Sequence, residues 1–252
     1  VSFDVAAESY DRFMGRFSTP LSAPFADLAA VTPGQHALDV GCGPGALTEV
    51  LVERLGAHAV VAVDPSEPFV AAVRDRLPGV AVHLAAAELL PFPDGGFDVA
   101  LAQLVVHFMA DPVGGLREMA RVTRPGGLVA ACVWDHGGGT GPLSEFWRAA
   151  HDIDPAVTGE ARLPGSTEGD LEDLGARAGL QDVQSARLTV RASFPSFESW
   201  WEPFTFGVGP AGGYVAGLTP EQLAALRDRC VARLPSAPFD LEVAAWAVTG
   251  RP

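Results

Sequence analysis

Cysteine is scarce. Cys42, Cys132 and Cys230 are an odd number with no C-x-x-C spacing, so neither a disulfide framework nor a zinc site is expected. Positive charge is also in short supply: 17 Lys and Arg face 31 Asp and Glu, for a formal net charge of −14. With a pI near 4.7 and no basic cluster to neutralise a phosphate backbone, nucleic acid is not an expected partner. No uninterrupted apolar run reaches the roughly 18 residues of a membrane span, and the opening segment, with Asp4, Glu8, Asp11 and Arg12, lacks the pattern of a signal peptide. No membrane association and a cytoplasmic location are therefore expected. His36, His58, His83, His107, His136 and His151 are scattered without metal-ligand spacing, so no metal is expected. A Gly-x-Ser-x-Gly nucleophile elbow is missing as well.

The 252 residues are 48% hydrophobic and 19% charged, enough apolar matter for one sizeable α/β core. A single domain over 1–252 is expected, with a helical N-terminal cover (1–34), a cofactor-binding core (35–134) and further strands carrying acceptor-binding insertions (135–252). Within the core, apolar runs at Ala37–Val40, Ala59–Val63, Ala81–Leu84, Phe97–Ala102 and Leu128–Val133 alternate with helical stretches at Leu47–Leu55, Pro68–Leu77 and Val113–Val122. That alternation is the pattern of a doubly wound, mostly parallel sheet buried on both faces. Ser22 reads as a helix N-cap with Pro24 in the first turn of a helix ending near Gly34. Later helices are expected at Leu143–His151 and about Pro220–Leu234, and further strands at Val183–Val190 and Leu241–Thr249.

The most informative stretch is Leu38-Asp39-Val40-Gly41-Cys42-Gly43-Pro44-Gly45-Ala46-Leu47, a strand that ends in glycines and runs into a helix. A turn without side chains lets a ligand lie against the backbone at the carboxyl edge of the sheet. The next strand delivers Asp64, suitably placed to accept both hydroxyls of a ribose. Two nucleoside cofactors fit this plan. Gly41-x-Gly43-x-x-Ala46 satisfies a dinucleotide pattern, which leaves an NAD(P)-dependent oxidoreductase as the alternative. Against it, Asp39 is unhelpful beside a pyrophosphate but could orient an ammonium group, and Pro44 withdraws a backbone N–H from the loop.

Together with Glu88-Leu89-Leu90-Pro91-Phe92-Pro93-Asp94-Gly95-Gly96-Phe97-Asp98 and Arg117-Glu118-Met119-Ala120-Arg121-Val122-Thr123-Arg124-Pro125-Gly126-Gly127, these segments resemble the class I S-adenosylmethionine-dependent methyltransferases. The likeness is to the type 11 group, which includes quinone-biosynthesis C-methyltransferases. It implies a Rossmann-like, doubly wound, seven-stranded sheet whose final strand is antiparallel and inserted between the fifth and sixth, with a small lid or cap. It further implies S-adenosylmethionine as cofactor, with Asp39, Gly41, Cys42, Gly43 and Gly45 around its methionine end, Asp64 on the ribose, and Pro65 and Ser66 flanking the adenine. Related chains often read Asp-Ala-Glu where this one has Ala86-Ala87-Glu88, so Ala87 and Glu88 are left to hold the base. Gln103 falls at a position lining the methionine side.

Methyl transfer from a sulfonium needs mainly alignment and desolvation of the acceptor. The acceptor is expected to be a small molecule, apolar or aromatic, held beside Phe194, Phe197, Trp200, Trp201, Phe204, Phe206 and Tyr214. Tyr10 and Arg16, in an aromatic and basic N-terminal segment, are expected to close over the cofactor, and removing residues 1–18 is expected to leave a folded core. His107, shortly after the fourth strand, is the candidate for acid/base work. A module that keeps the fold without catalysis is a third reading.

Overall fold

The computed structural model describes residues 7–252; of the expected N-terminal cover, residues 1–6 lie outside this range. Seven strands form one sheet in the order β3-β2-β1-β4-β5-β7-β6. They are β1 (Ala37–Val40), β2 (Val60–Asp64), β3 (Ala81–Leu84), β4 (Phe97–Gln103), β5 (Thr123–Trp134), β6 (Gln181–Phe194) and β7 (Phe239–Arg251). The pairings among β1 to β5 are parallel, while β7 runs antiparallel to both β5 and β6 and lies between them. This is the expected Rossmann-like sheet with its inserted final strand.

Strand alternation sorts the apolar side chains into two cores. Leu38, Val40, Ala100, Ala102, Val129 and Ala131 face one layer with α5 (Pro112–Val122) and α7 (Asp170–Ala178). Ala37, Ala62, Val99, Leu101, Ala130 and Cys132 face the other, with α2 (Arg16–Leu28), α3 (Ala46–Leu55) and α4 (Glu67–Arg76). Both faces are thereby covered, which is why these strands read as continuous apolar runs. The helices α6 (Ser144–Ile153), α8 (Phe197–Trp201), α9 (Gly209–Ala216) and α10 (Pro220–Arg233) pack into and extend the second core.

Two expectations fail. Ser22 is no N-cap: it lies buried inside α2, which runs unbroken through Pro20 and Pro24, and its hydroxyl donates to the Ser18 carbonyl at 3.1 Å. Each proline removes a helix hydrogen bond, but the fully buried Leu21 and Phe25, with Phe17, fasten the helix to the core. A short helix α1 (Ala7–Tyr10) and a wider turn at Asp11–Gly15 lead into α2, and Phe13, Met14 and Phe17 are themselves core. The expectation that residues 1–18 can be removed without loss of the fold is corrected by this packing.

Candidate active site

The strand order reverses between β1 and β4, and the parted loops there leave a cleft outside the carboxyl ends of the strands. A cavity of about 500 Å³ opens at that point, lined by Gly41, Gly43, Asp64, Phe69, Glu88 and Gln103 among others. That volume suits a nucleoside-sized ligand.

The turn after β1 is drawn toward β2. The N–H groups of Gly41 and Cys42 both donate to the Val63 carbonyl, at 2.8 and 3.0 Å, and Gly45 donates to the Cys42 carbonyl at 2.9 Å. Gly43 donates to Asp64 Oδ2 at 2.8 Å. Pro44 has no N–H. No amide between 41 and 45 is left to meet a pyrophosphate, so the turn presents a surface and not an anion cradle. Gly41 has φ +70°, and a Cβ there would fall 2.4 Å from Val105 Cγ2, so only glycine fits. Gly45 turns toward Val73 and Arg76 of α4, away from the cavity.

Asp64 is only 6% exposed. Its other oxygen, Oδ1, accepts the Ser66 N–H at 2.8 Å, so the two bonds fix the carboxylate and leave a further lone pair on each oxygen. Burial raises its pKa, and the hydrogen bonds from Ser66 and Gly43 oppose that rise. Pro65 and Ser66 continue the wall.

Asp39 sits beneath the turn in a small recess shared with Tyr10, Cys42 and Gln103. Its Oδ2 accepts the Thr48 hydroxyl at 2.6 Å, while buried Oδ1 has no partner among the described residues. Burial pushes the carboxyl up to about 7, with the Thr48 bond opposing. An unpartnered buried carboxylate oxygen at the edge of a cleft is a site for a cation or a donor. Burial likewise raises the Cys42 thiol, so this sulfur is not a reactive thiolate.

Ala87 and Glu88 line the opposite wall. Glu88 Oε1 accepts the N–H of Ala110 at 2.7 Å and of Asp111 at 3.2 Å, which commits the side chain to holding the loop after β4. The segment after it is clamped from α5: Arg121 donates to the carbonyls of Leu90 (3.0 Å) and Phe92 (2.8 Å) and to Asp94 (2.8 Å), and Glu118 accepts the Leu90 N–H at 3.1 Å. The two later sequence motifs are thus one structural device.

Gln103 Nε2 donates to the Ser18 carbonyl (3.1 Å) and Ser22 Oγ (3.0 Å), joining β4 to α2, and its Oε1 is buried without a partner among the described residues. Leu104 follows in a left-handed conformation, φ +62°, rare for a branched residue and the kind of backbone strain that clusters at sites. His107 lies beyond it, 6% exposed, on a second, small cavity with Trp134, His136 and Glu160. Burial, and secondarily His136, drive the His107 pKa well below the usual value.

Tyr10 borders the main cavity, the Asp39 recess and the small cavity alike, and its ring meets Phe69 edge-on at 5.4 Å. Burial, then Asp64, raise its phenol pKa. Arg16 stands away from these cavities: it donates to the Ser199 carbonyl at 2.6 Å and lies over the Phe194 ring, pinning α2 to α8. The expected aromatic acceptor wall is chiefly packing, with Phe204 stacked on Phe146 at 4.4 Å and Phe194 on Phe239 at 5.3 Å. Sequence reading missed Phe69, Leu104, Trp134, His136 and Glu160 as site residues, because nothing local marks them.

Comparison with known proteins gives the frame. A family model described as a methyltransferase domain matches residues 38–131. A methyltransferase of Mycobacterium sp. (strain KMS) is 32% identical over 203 residues, 75% of this chain and 79% of its own length. Aklanonic acid methyltransferase DauC of Streptomyces sp. (strain C5) is 29% identical over 135 residues, 51% of this chain and 61% of its own. Among solved structures, a methyltransferase from an antibiotic biosynthesis pathway of Anabaena variabilis superposes with a TM-score of 0.63 at 16% identity, covering 93% of this chain and 98% of that one. The chain spans about half the length of several other curated relatives it matches.

Proposed function

The chain belongs to the class I S-adenosylmethionine-dependent methyltransferase family, and we propose that it transfers a methyl group from that cofactor to a small-molecule acceptor. The observation that carries this reading is the Asp64 carboxylate, held by the N–H groups of Gly43 and Ser66 on the wall of the main cavity, each oxygen keeping the capacity to accept a second hydrogen bond. In that position it would accept the ribose hydroxyls. Asp39, with its unpartnered Oδ1, would take the ammonium end directly or through water. Pro65 and Ser66 on one side and Ala87 and Glu88 on the other would enclose the adenine, with Gly41 and Gly43 giving backbone contact. An NAD-type pyrophosphate is less well served, since the amides of Gly41, Cys42, Gly43 and Gly45 are engaged and only the first amides of α3 would be left to meet it.

The cofactor supplies a methyl already activated on a sulfonium, and the residues of the chain bind, orient and exclude water. Leu104, Phe108 and Met109 give the cavity an apolar side, and Tyr10 covers it. A relative named for methylation of aklanonic acid supports a small-molecule acceptor. Among the described residues no helix is long and apolar enough to cross a membrane.

The test is transfer of label. Wild-type protein incubated with methyl-tritiated S-adenosylmethionine and a protein-free small-molecule extract should label a compound in that extract, and the Asp64→Ala variant should not. Equal labelling by both, or label appearing only in macromolecules added as controls, would contradict the proposal.

A further inference from the structure

Trp134 Nε1 and His107 Nδ1 are both buried with no hydrogen-bond partner among the described residues, and the two residues line the same small cavity of about 30 Å³. Trp134 is 2% exposed and His107 6%, so solvent does not satisfy either atom. Leaving a buried polar group unpaired is costly, and such a group calls for a partner. The volume is that of one hydroxyl-sized group.

The chemistry of the two atoms is complementary. An indole nitrogen only donates. The imidazole is kept neutral chiefly by its burial, and so is that of His136, whose ring centre is 5.8 Å away and which burial brings down to about 4. A neutral imidazole with its hydrogen on Nε2 accepts at Nδ1. One donor and one acceptor on two residues that line one cavity match a hydroxyl group, which both accepts and donates.

The position suits an acceptor. Tyr10, Leu104 and Phe108 wall both this cavity and the main cleft, so the two are neighbours across those side chains. On its far side His136 borders a wider cleft of about 690 Å³ with room for the body of a larger molecule. Phe13, Phe108 and Trp134 make the small cavity's walls aromatic.

We infer that the cavity between His107 and Trp134 binds the reacting hydroxyl of the methyl acceptor, a phenol or enol, with Trp134 Nε1 donating to its oxygen and His107 Nδ1 accepting its proton. This rests on the methyltransferase reading. As the new O–C bond forms, the S–C bond of the sulfonium breaks to leave a neutral thioether, and the hydroxyl proton passes to His107. One positive charge is present before and after. A histidine already charged would be unable to take the proton and would repel the sulfonium.

The probes are 4-methylphenol, 4-methylanisole, which keeps the oxygen but cannot donate, and toluene. Each is titrated into the wild-type chain with and without S-adenosylhomocysteine, following the Trp134 indole N–H resonance by NMR, assigned through bonds. The phenol should move that resonance and bind about tenfold more tightly than the anisole, a preference set by the extra hydrogen bond. His107→Leu should abolish the preference while the indole resonance persists. A Trp134 resonance unmoved by the phenol would mean that water alone satisfies the pair, and equal binding of phenol and anisole would mean that no proton acceptor faces the ligand; either result overturns the inference. Binding of S-adenosylhomocysteine is read separately by calorimetry. If it binds while the phenol preference is absent, the hydroxyl site falls and the methyltransferase reading stands; the reverse pattern leaves the hydroxyl site and removes that reading.

Discussion

Asp64 Oδ2 accepts the Gly43 N–H at 2.8 Å, a bond that ties the tip of β2 to the turn after β1 across 21 residues of chain. The same carboxylate holds Ser66 with its other oxygen, so its orientation is set before any ligand arrives. Preorganisation of this sort lowers the ordering cost of binding.

Asp64→Ala should therefore weaken S-adenosylhomocysteine binding by roughly 10- to 150-fold, the equivalent of about 1.5–3 kcal/mol for hydrogen bonds to a charged group. Calorimetry on the two proteins checks this. An unchanged affinity would return Asp64 to a purely structural role in the turn.

Asp39 makes stability depend on pH. Its carboxyl rises to about 7 in the folded chain, against an unfolded value near 3.8, because burial disfavours the charge. Between these values the folded state keeps a proton that the unfolded state has released, so stability is full below the unfolded pKa and falls as pH rises toward 7. Urea unfolding at pH 5 and pH 8 should show that decline, and Asp39→Asn should flatten it. An ammonium group bound beside Asp39 would favour the carboxylate, so cofactor binding near pH 6.5 should release protons, seen as heats that vary with buffer. Buffer-independent heats would argue against contact with Asp39.

Gly41→Ala should destabilise the fold by about 1–3 kcal/mol, since its Cβ would overlap Val105. Adding Val105→Ala should recover part of the loss but leave the strain of φ +70°. A double-mutant cycle in urea measures the coupling, and strict additivity of the two changes would contradict the contact.

The centre of the sheet was legible because its strands are buried on both faces, and β1 has the bounds its apolar run indicates; β3, an edge strand with only Val82 buried, keeps its expected bounds as well. The last two strands run beyond theirs, to Gln181–Phe194 and Phe239–Arg251, where exposed Arg191, Ser193 and Asp240 alternate with buried Ala192, Phe194 and Phe239, so that no continuous apolar run marks the extensions. The proline at 24 behind Ser22 imitates a helix start, and only packing of Phe17, Leu21 and Phe25 overrides it. In the site, Asp39, Gly41 and Asp64 announce themselves by sitting at strand ends. Trp134, His136 and Glu160 come together only through the loops after β5, and Leu104 is marked by a backbone angle no sequence displays.

Phe17→Ala should cost about 3–5 kcal/mol, as expected for a core phenylalanine, because the ring meets both Trp134 and Phe194. Denaturant unfolding gives the value. A loss under about 1 kcal/mol would revive the view of the N-terminal segment as a removable cover.

The most direct test of the cleft is calorimetric titration of the wild-type chain with S-adenosylhomocysteine and, separately, with NAD. The turn at Gly41 to Gly45, with its amides engaged by Val63, Asp64 and Cys42, calls for one site for S-adenosylhomocysteine and no heat from NAD. Binding of NAD with no response to S-adenosylhomocysteine would contradict it.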